Sequence, residues 1–147
     1  MSLEEIHGPV FLEVPSDPAS LFLVRCLTDR LTQRLGFPQS EVDRVVLAVD
    51  EACANIIRHA YGGRLGERIH LTYLVGEERL EIRIRDFGSG TDPVHFKPRE
   101  LADVRPGGLG IHFIRSAMDR VEYETPPDGG TLLTMIKLRQ PKEGGKE

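Results

Sequence analysis

The spacing of apolar residues changes several times along the chain, and each change predicts a new element. The segment IHGPVFLEVP is predicted to form a strand. Between residues 21 and 35, apolar side chains recur at the spacing of one helix face. Asp17 is a typical N-cap before this run, and Gly36 is typical of a helix end. The first two elements are therefore predicted to be a strand and a helix.

A second helix is predicted from Ser40, because Asp43 follows it in an acidic version of the capping box. Its apolar side comprises Val42, Val45, Val46, Val49, Cys53, Ile56 and Ala60. The opposite side is predicted to carry Arg44, Glu51, Asn55 and Arg58. Glu51 and Asn55 then lie one helical turn apart, so that an acid and an amide are neighbours on the helix surface.

The remaining pattern predicts two hairpins separated by a long connection and a short helix. RIHLTYLV and RLEIRIRDF alternate as strands around a turn. Residues 88–108 are rich in Gly, Pro and charge, and a connection of this length is typical of a functional lid. GLGIHFIRSAMDRV then predicts a helix, and two closing strands flank the PPDGG turn. This order predicts an α/β two-layer sandwich (α+β), with helices on one face of a mixed, mostly antiparallel sheet.

Composition and charge narrow the class of protein. The 147 residues are 39% apolar and 29% charged, which favours one globular domain over residues 1–140 and a disordered tail at 141–147. The net charge of −4 argues against direct nucleic-acid or membrane binding. No signal peptide and no apolar run of about 20 residues is visible, so we expect a cytoplasmic protein. Cys26 and Cys53 are expected to be buried thiols rather than a disulfide.

Three short motifs are candidates for chemistry. They are the Glu51/Asn55 pair, the sequence DFGSG at residues 86–90, and GGLG at residues 107–110. Each alone also fits an ordinary structural role, namely a solvated helix face, a turn after a strand, or a hinge. A Rossmann phosphate loop fits poorly because Phe113 stands where a third Gly or Ala is needed, and no Walker motif is present.

Taken together, the motifs resemble the GHKL ATPase superfamily, with EACAN as the N-box and DFGSG and GGLG as the two glycine boxes. AVDEACANIIRHAY, DFGSGTDP and RPGGLGIHFIRSAMDRVEYE are most similar to its short branch, the anti-sigma-factor serine/threonine kinases. The resemblance extends from the first helix to about Leu138. It implies a Bergerat-type ATP-binding fold with a long ATP lid.

The resemblance also implies roles for individual residues. Asn55 would offer its carboxamide oxygen to Mg²⁺ on the phosphates of ATP, and Glu51 would take a proton from the attacking hydroxyl. Asp86 would accept a hydrogen bond from the adenine amino group. The other residues expected to bind nucleotide are Gly88, Gly90, Arg105, Gly108, Leu109, Gly110 and Thr131. Arg105 is equally consistent with a solvated lid charge, and Thr131 with an ordinary strand residue.

In function, the resemblance implies an ATP-dependent serine/threonine protein kinase that is also an anti-sigma factor. Its substrate would be an anti-anti-sigma protein of the STAS type, its second partner a sigma factor, and its assembly a homodimer. A nucleotide-binding module without useful catalysis is the main alternative. Sensor histidine kinases usually carry Asn where Glu51 stands, and they need dimerisation helices for which this length has no room. An acid–base enzyme unrelated to ATP would leave the glycine boxes unexplained.

Overall fold

The computed structural model describes residues 6, 8–88 and 108–140, and the elements follow the predicted order. The strands are β1 Gly8–Pro15, β2 Arg68–Val75, β3 Arg79–Asp86, β4 Arg120–Glu124 and β5 Thr131–Leu138. The α-helices are α1 Leu21–Arg34, α2 Gln39–Asn55 and α3 Gly108–Ala117. A 3₁₀ turn, Pro18–Ser20, precedes α1, and a π-helix, Ile56–Ala60, continues α2.

One five-stranded sheet, in the order β1-β2-β3-β5-β4, forms one layer of the molecule. All four ladders between these strands are antiparallel, so the sheet described here lacks the parallel pairing that a mixed sheet would contain. The β3–β5 ladder pairs Asp86 with Thr131. The predicted two-layer sandwich is confirmed, and the ladder brings the end of the first glycine-box strand beside the start of the last strand.

Helices cover one face of this sheet because its strands alternate apolar and polar side chains. The inward residues of β2 and β3 are buried against the helices: Ile69, Leu71, Tyr73, Leu80, Ile82 and Ile84. Val24 of α1 and Val45 and Val49 of α2 belong to the same core. Burial of each Val, Leu or Ile side chain in this core removes enough apolar area from water to stabilise the fold by about 1.5–3 kcal/mol.

Neither of the two long helices begins with a side-chain cap, and within the described part of the chain a capping side chain occurs only at the 3₁₀ turn before α1. Asp17 accepts a hydrogen bond from Ala19 N at 2.9 Å and caps the 3₁₀ turn, as its type predicts. The predicted N-cap at Ser40 is wrong, because α2 begins at Gln39. The Pro38 carbonyl accepts from the N–H groups of Glu41 and Val42, both at 2.9 Å, and no side chain caps the helix.

The two cysteines lie in different surroundings and are not bridged. Cys53 is buried as predicted, but Cys26 is exposed, so the expectation that both thiols are buried is wrong. Cys26 follows the buried Val24 by two residues, about 200° around the helix, and therefore lies on the opposite side of α1. No helix in the described part of the chain is long and apolar enough to cross a membrane. The predicted tail at 141–147 lies outside the described residues.

Candidate nucleotide-binding site

The last turn of α2 carries the acid and the amide of the first motif. The Glu51 side chain is about one third exposed, at 31%. Asn55 is only 3% exposed, so it does not fit the alternative of a solvated helix face, although it was predicted to lie opposite the apolar side of α2. It is buried because it faces a narrow pocket between α2 and the sheet. The spacing of residues within one helix cannot predict contacts with residues of the sheet. Its Nδ2 is buried without a hydrogen-bond partner among the described residues.

Arg58 connects these two side chains. Its Nη2 donates to Glu51 Oε2 at 3.0 Å and to Asn55 Oδ1 at 2.6 Å. Arg58 belongs to the π-helix, a form that often occurs at functional sites. Arg58 was predicted to lie on the same side of the helix as Glu51, without a functional role. Its spacing of three residues from Asn55 is the one feature of the sequence that could have predicted their contact, because residues three apart are neighbours on a helix surface.

Asp86 ends β3 and points into the same pocket. It is 1% exposed, and its Oδ1 accepts from Gly88 N at 3.0 Å. Burial raises the pKa of the Asp86 carboxyl above its ordinary value, while backbone hydrogen bonds from Gly88 and Thr131 and the Arg85 charge oppose that rise. A buried carboxylate with a free lone pair is a strong acceptor for a ligand N–H group.

Tyr61 holds the chain just after Asp86, although it was not among the predicted site residues. The buried phenol oxygen accepts from Phe87 N at 2.7 Å and donates to the Arg68 carbonyl. Burial raises the pKa of Tyr61, so the phenol stays protonated and keeps this donor. No periodicity in the sequence indicated this role, because Phe87 and Arg68 lie far from Tyr61 or in another element.

The two glycine boxes both touch the segment that carries Glu51. A Cβ on Gly88 would lie 2.4 Å from the Ala60 carbonyl oxygen, and one on Gly110 would lie 2.3 Å from Glu51 Oε2. Glycine is therefore required for these close approaches. As a result, the N-terminal turn of α3 lies against Glu51, and its free N–H groups and positive dipole end are near the carboxylate.

The structure brings most of the predicted site residues together. A narrow pocket is lined by Ala52, Asn55, Ile56, Ile84, Asp86, Tyr123, Thr131 and Leu133. Thr131 is buried opposite Asp86, while Gly108 and Leu109 begin α3. Gly90 and Arg105 lie outside the described residues and stay predictions. The walls of this pocket are mainly apolar, and Asn55, Asp86 and Thr131 add polar groups to them.

Comparison with known proteins agrees with this geometry. The family model for the histidine kinase-like ATPase domain matches residues 14–137. The chain belongs to this histidine kinase-like ATPase family. Its similar proteins include the serine-protein kinase RsbW of Halalkalibacterium halodurans, 33% identical over 94% of this chain and 89% of the relative. The serine-protein kinase RsbW of Bacillus pumilus is 31% identical over 92% of this chain and 89% of the relative. The serine-protein kinase RsbW of Listeria monocytogenes serotype 4a is 30% identical over 94% of this chain and 92% of the relative.

These relatives place the chain among the serine-protein kinases of the histidine kinase-like ATPase family. The resemblance stated from the three motifs is thereby confirmed. An ATPase family of this kind uses ATP.

Proposed function

We propose that this chain transfers the γ-phosphoryl group of ATP to a serine or threonine of a partner protein, with Mg²⁺ as cofactor. The observation that carries the proposal is the contact between Glu51 and the start of α3. It brings a carboxylate next to a helix N-terminus, where phosphate groups bind. Asn55, one turn after Glu51 on α2, lines the pocket that also contains Asp86.

The pocket residues suit the adenine end of ATP. The Asp86 carboxylate would accept from the exocyclic amino group, and the Thr131 hydroxyl lies opposite it in the ladder. The apolar walls from Ile56, Ile84 and Leu133 would cover the ring faces. Gly108 and Gly110 of α3 would leave backbone N–H groups free for phosphate oxygens, and Gly90, Leu109 and Arg105 are proposed to complete the nucleotide site.

The residues present fit Mg²⁺. Asn55 Oδ1 is an oxygen donor with two lone pairs, of which Arg58 uses one. No group of three or more His, Cys, Asp or Glu residues that could hold a metal exists within residues 8–88 and 108–140. This fits an ion that takes most of its ligands from phosphate and water. Bound Mg²⁺ would neutralise charge on the phosphate oxygens and hold them in place.

Glu51 is proposed as the general base. Its carboxylate would take the proton of the substrate hydroxyl as the hydroxyl oxygen forms a bond to the γ-phosphorus. The bond from that phosphorus to the β–γ bridging oxygen breaks, and ADP leaves with its electron pair. Such a positioned base contributes about 10²–10⁴-fold to a rate. Asn55 supports the same step by holding the metal end of the nucleotide one turn away.

For partners, we propose a STAS-type anti-anti-sigma protein as substrate and a sigma factor as the sequestered protein, which would be met in the cytoplasm. Phosphorylation would add about two negative charges to the substrate and weaken its grip on the kinase. The unphosphorylated antagonist would then release the sigma factor. A homodimer is proposed as well, since Phe11, Phe22 and Leu23 are exposed apolar side chains.

The experiment that tests this function uses the purified chain, ATP, Mg²⁺ and a purified STAS-domain protein. Intact-mass measurement should show one added phosphoryl group on the partner, located on a serine or threonine by fragmentation. A partner that binds but gains no mass, while ATP also binds, would leave a nucleotide-dependent binding module as the function. Absence of ATP binding would remove both descriptions.

A further inference from the structure

Arg85 stands directly before Asp86, with its side chain on the face of the sheet away from the helices. The side chain is only 17% exposed. Its Nη1 donates to the carbonyl oxygens of Asp86, at 2.6 Å, and Gly129, at 2.8 Å. Its Nη2 donates to Asp128 Oδ1 at 2.9 Å. One guanidinium therefore connects the end of β3 to the turn between β4 and β5.

The turn is pressed closely against this end of β3. Gly130 has a φ of 74°, and a Cβ there would lie 2.1 Å from the Asp86 carbonyl oxygen and 2.6 Å from Arg85 Nη1. The next residue, Thr131, pairs with Asp86 in the ladder. Arg85 and the tight turn thus hold together the strand ends that carry Asp86 and Thr131, two of the polar residues that line the pocket.

The guanidinium is also held from its other side. The Phe87 ring lies 4.6 Å from the Arg85 Cζ and 4.6 Å from the Arg68 Cζ, and the His70 ring meets it edge-on. Stacking on an aromatic face suits the planar guanidinium and restricts its rotation. Arg85 consequently has one well-defined orientation, with its donors directed at the two carbonyls.

We propose that Arg85 is a positioning residue for nucleotide-base recognition, acting by locking Asp86 and Thr131 at a fixed separation. The inference rests on the proposed function, because it assumes that ATP binds in this pocket. Arg85 does not line the pocket and acts only through its neighbours. Arg85 was not among the predicted site residues, because an arginine near the end of a strand is usually a solvated side chain.

The position of Arg85 predicts a particular kinetic signature. Loss of its donors frees the turn from β3 and loosens the Asp86–Thr131 pair, which contacts the base in both ATP and ADP. Glu51 and Asn55 lie on α2 and are not touched. The affinity for both nucleotides should therefore fall by the same factor. The transfer rate at saturating ATP should not change.

The test compares Arg85→Met with Asp128→Asn. Methionine keeps an apolar stem over Phe87 and removes every donor. Asparagine removes only the ion pair to Asp128, which is 75% exposed and contributes little. Calorimetric titration with ATP, ADP and GTP in Mg²⁺ should show the Kd of Arg85→Met for ATP and ADP raised about tenfold, with reduced preference for ATP over GTP. Asp128→Asn should match the wild-type chain, and Arg85→Lys should recover part of the affinity.

Three results overturn or separate the claims. If Arg85 has a purely structural role, Arg85→Met should have a lower unfolding temperature and a lower fitted number of binding sites, with an unchanged Kd for ATP and ADP. That result overturns the inference. If Arg85→Met does not fold, Arg85→Gln is measured instead, and a wild-type Kd in that variant also overturns it. If the wild-type chain itself binds no ATP, the proposed function fails first and the inference falls with it.

Discussion

Glu51 and Asp86 are the two carboxylates of this site, and their surroundings suit different tasks. Glu51 is partly exposed and paired with Arg58, at the place where a substrate hydroxyl would arrive. Asp86 is buried between two backbone donors and faces an apolar pocket. A reacting base needs access, whereas a recognition group gains from exclusion of water. These environments are the basis on which we propose different roles for the two acids.

Asn55 is the residue through which Mg²⁺ should affect nucleotide binding. In Asn55→Ala we expect the gain in ATP affinity on adding Mg²⁺ to fall about tenfold or more, because the protein oxygen ligand is lost. Affinity measured in EDTA should change little. Titration of ATP with and without Mg²⁺ gives both numbers. An unchanged Mg²⁺ effect would contradict the metal role.

Asp86→Asn should separate stability from binding. Burial raises the pKa of Asp86 above its ordinary 3.8, so the folded chain holds that proton more tightly than the unfolded chain. The free energy of unfolding therefore falls as pH rises from 3.8 through the folded-state pKa, and the ionised form costs stability at pH 7. We expect the nucleotide-free variant to unfold at the same temperature or higher at pH 7. In this variant, the free energy of unfolding should also lack the fall with rising pH that ionisation of Asp86 causes in the wild-type chain.

The same variant should bind ATP and ADP more weakly by similar factors, about tenfold to hundredfold. Both nucleotides carry adenine, and the amide introduced by Asp86→Asn would offer one acceptor oxygen, which Gly88 N already uses, and an NH₂ donor in place of the second oxygen. Thermal unfolding across pH and titration with both nucleotides supply the data. A loss for ATP alone would show that Asp86 does not recognise the base.

At the scale of elements, Gly88 of the first glycine box and Gly110 of the second should respond differently to substitution by alanine. In Gly110→Ala the new Cβ meets the flexible Glu51 side chain, which can move, so the fold should persist while phosphotransfer falls. In Gly88→Ala the Cβ meets the Ala60 backbone, which cannot move as easily, and stability should fall by about 1–3 kcal/mol.

Chemical denaturation and phosphotransfer assays on both glycine variants check this contrast. Gly110→Ala with full transfer activity would show that contact with α3 does not position Glu51. A Gly88→Ala chain as stable as the wild type would show that the first glycine box tolerates a side chain at the Ala60 contact.

The sequence predicted elements better than contacts between them. Alternation is a local property, so β2 and β3 were found where the structure has them. The start of α2 was missed because a backbone carbonyl, that of Pro38, replaces the expected side-chain cap. The burial of Asn55 was missed because its cover comes from residues far along the chain.

The candidate site divides in the same way. Glu51, Asn55, Asp86 and the glycine boxes belong to recognisable motifs, and family resemblance supplied their roles. Arg58 lies only three residues from its partner Asn55 on the same helix. Tyr61 and Arg85 make hydrogen bonds to partners that only the folded chain brings close. No periodicity in the sequence identifies such partners.

At the scale of the whole molecule, exposed apolar side chains on β1 and α1 support association of two copies. We expect Phe22→Glu to weaken the proposed homodimer, because it places like charges where apolar surfaces would meet. Phe22 is 52% exposed, so the folded monomer should be unaffected. Leu65→Glu is the matched control, since Leu65 is 65% exposed in the loop before β2. Sedimentation velocity measures the result, and a monomeric wild-type chain would contradict the proposal.

The measurement that tests the central claim most directly is transfer from γ-labelled ATP to proteins in a lysate of the source cells, with Glu51→Gln as the comparison. We predict one small labelled protein whose label is stable to acid and labile to alkali. The label should fall by about 10²-fold or more with Glu51→Gln, although that variant still binds ATP. Asp50→Asn, which changes the neighbouring acid paired with Arg25, should label as well as the wild type. An acid-labile label, or equal labelling by Glu51→Gln, would contradict the account.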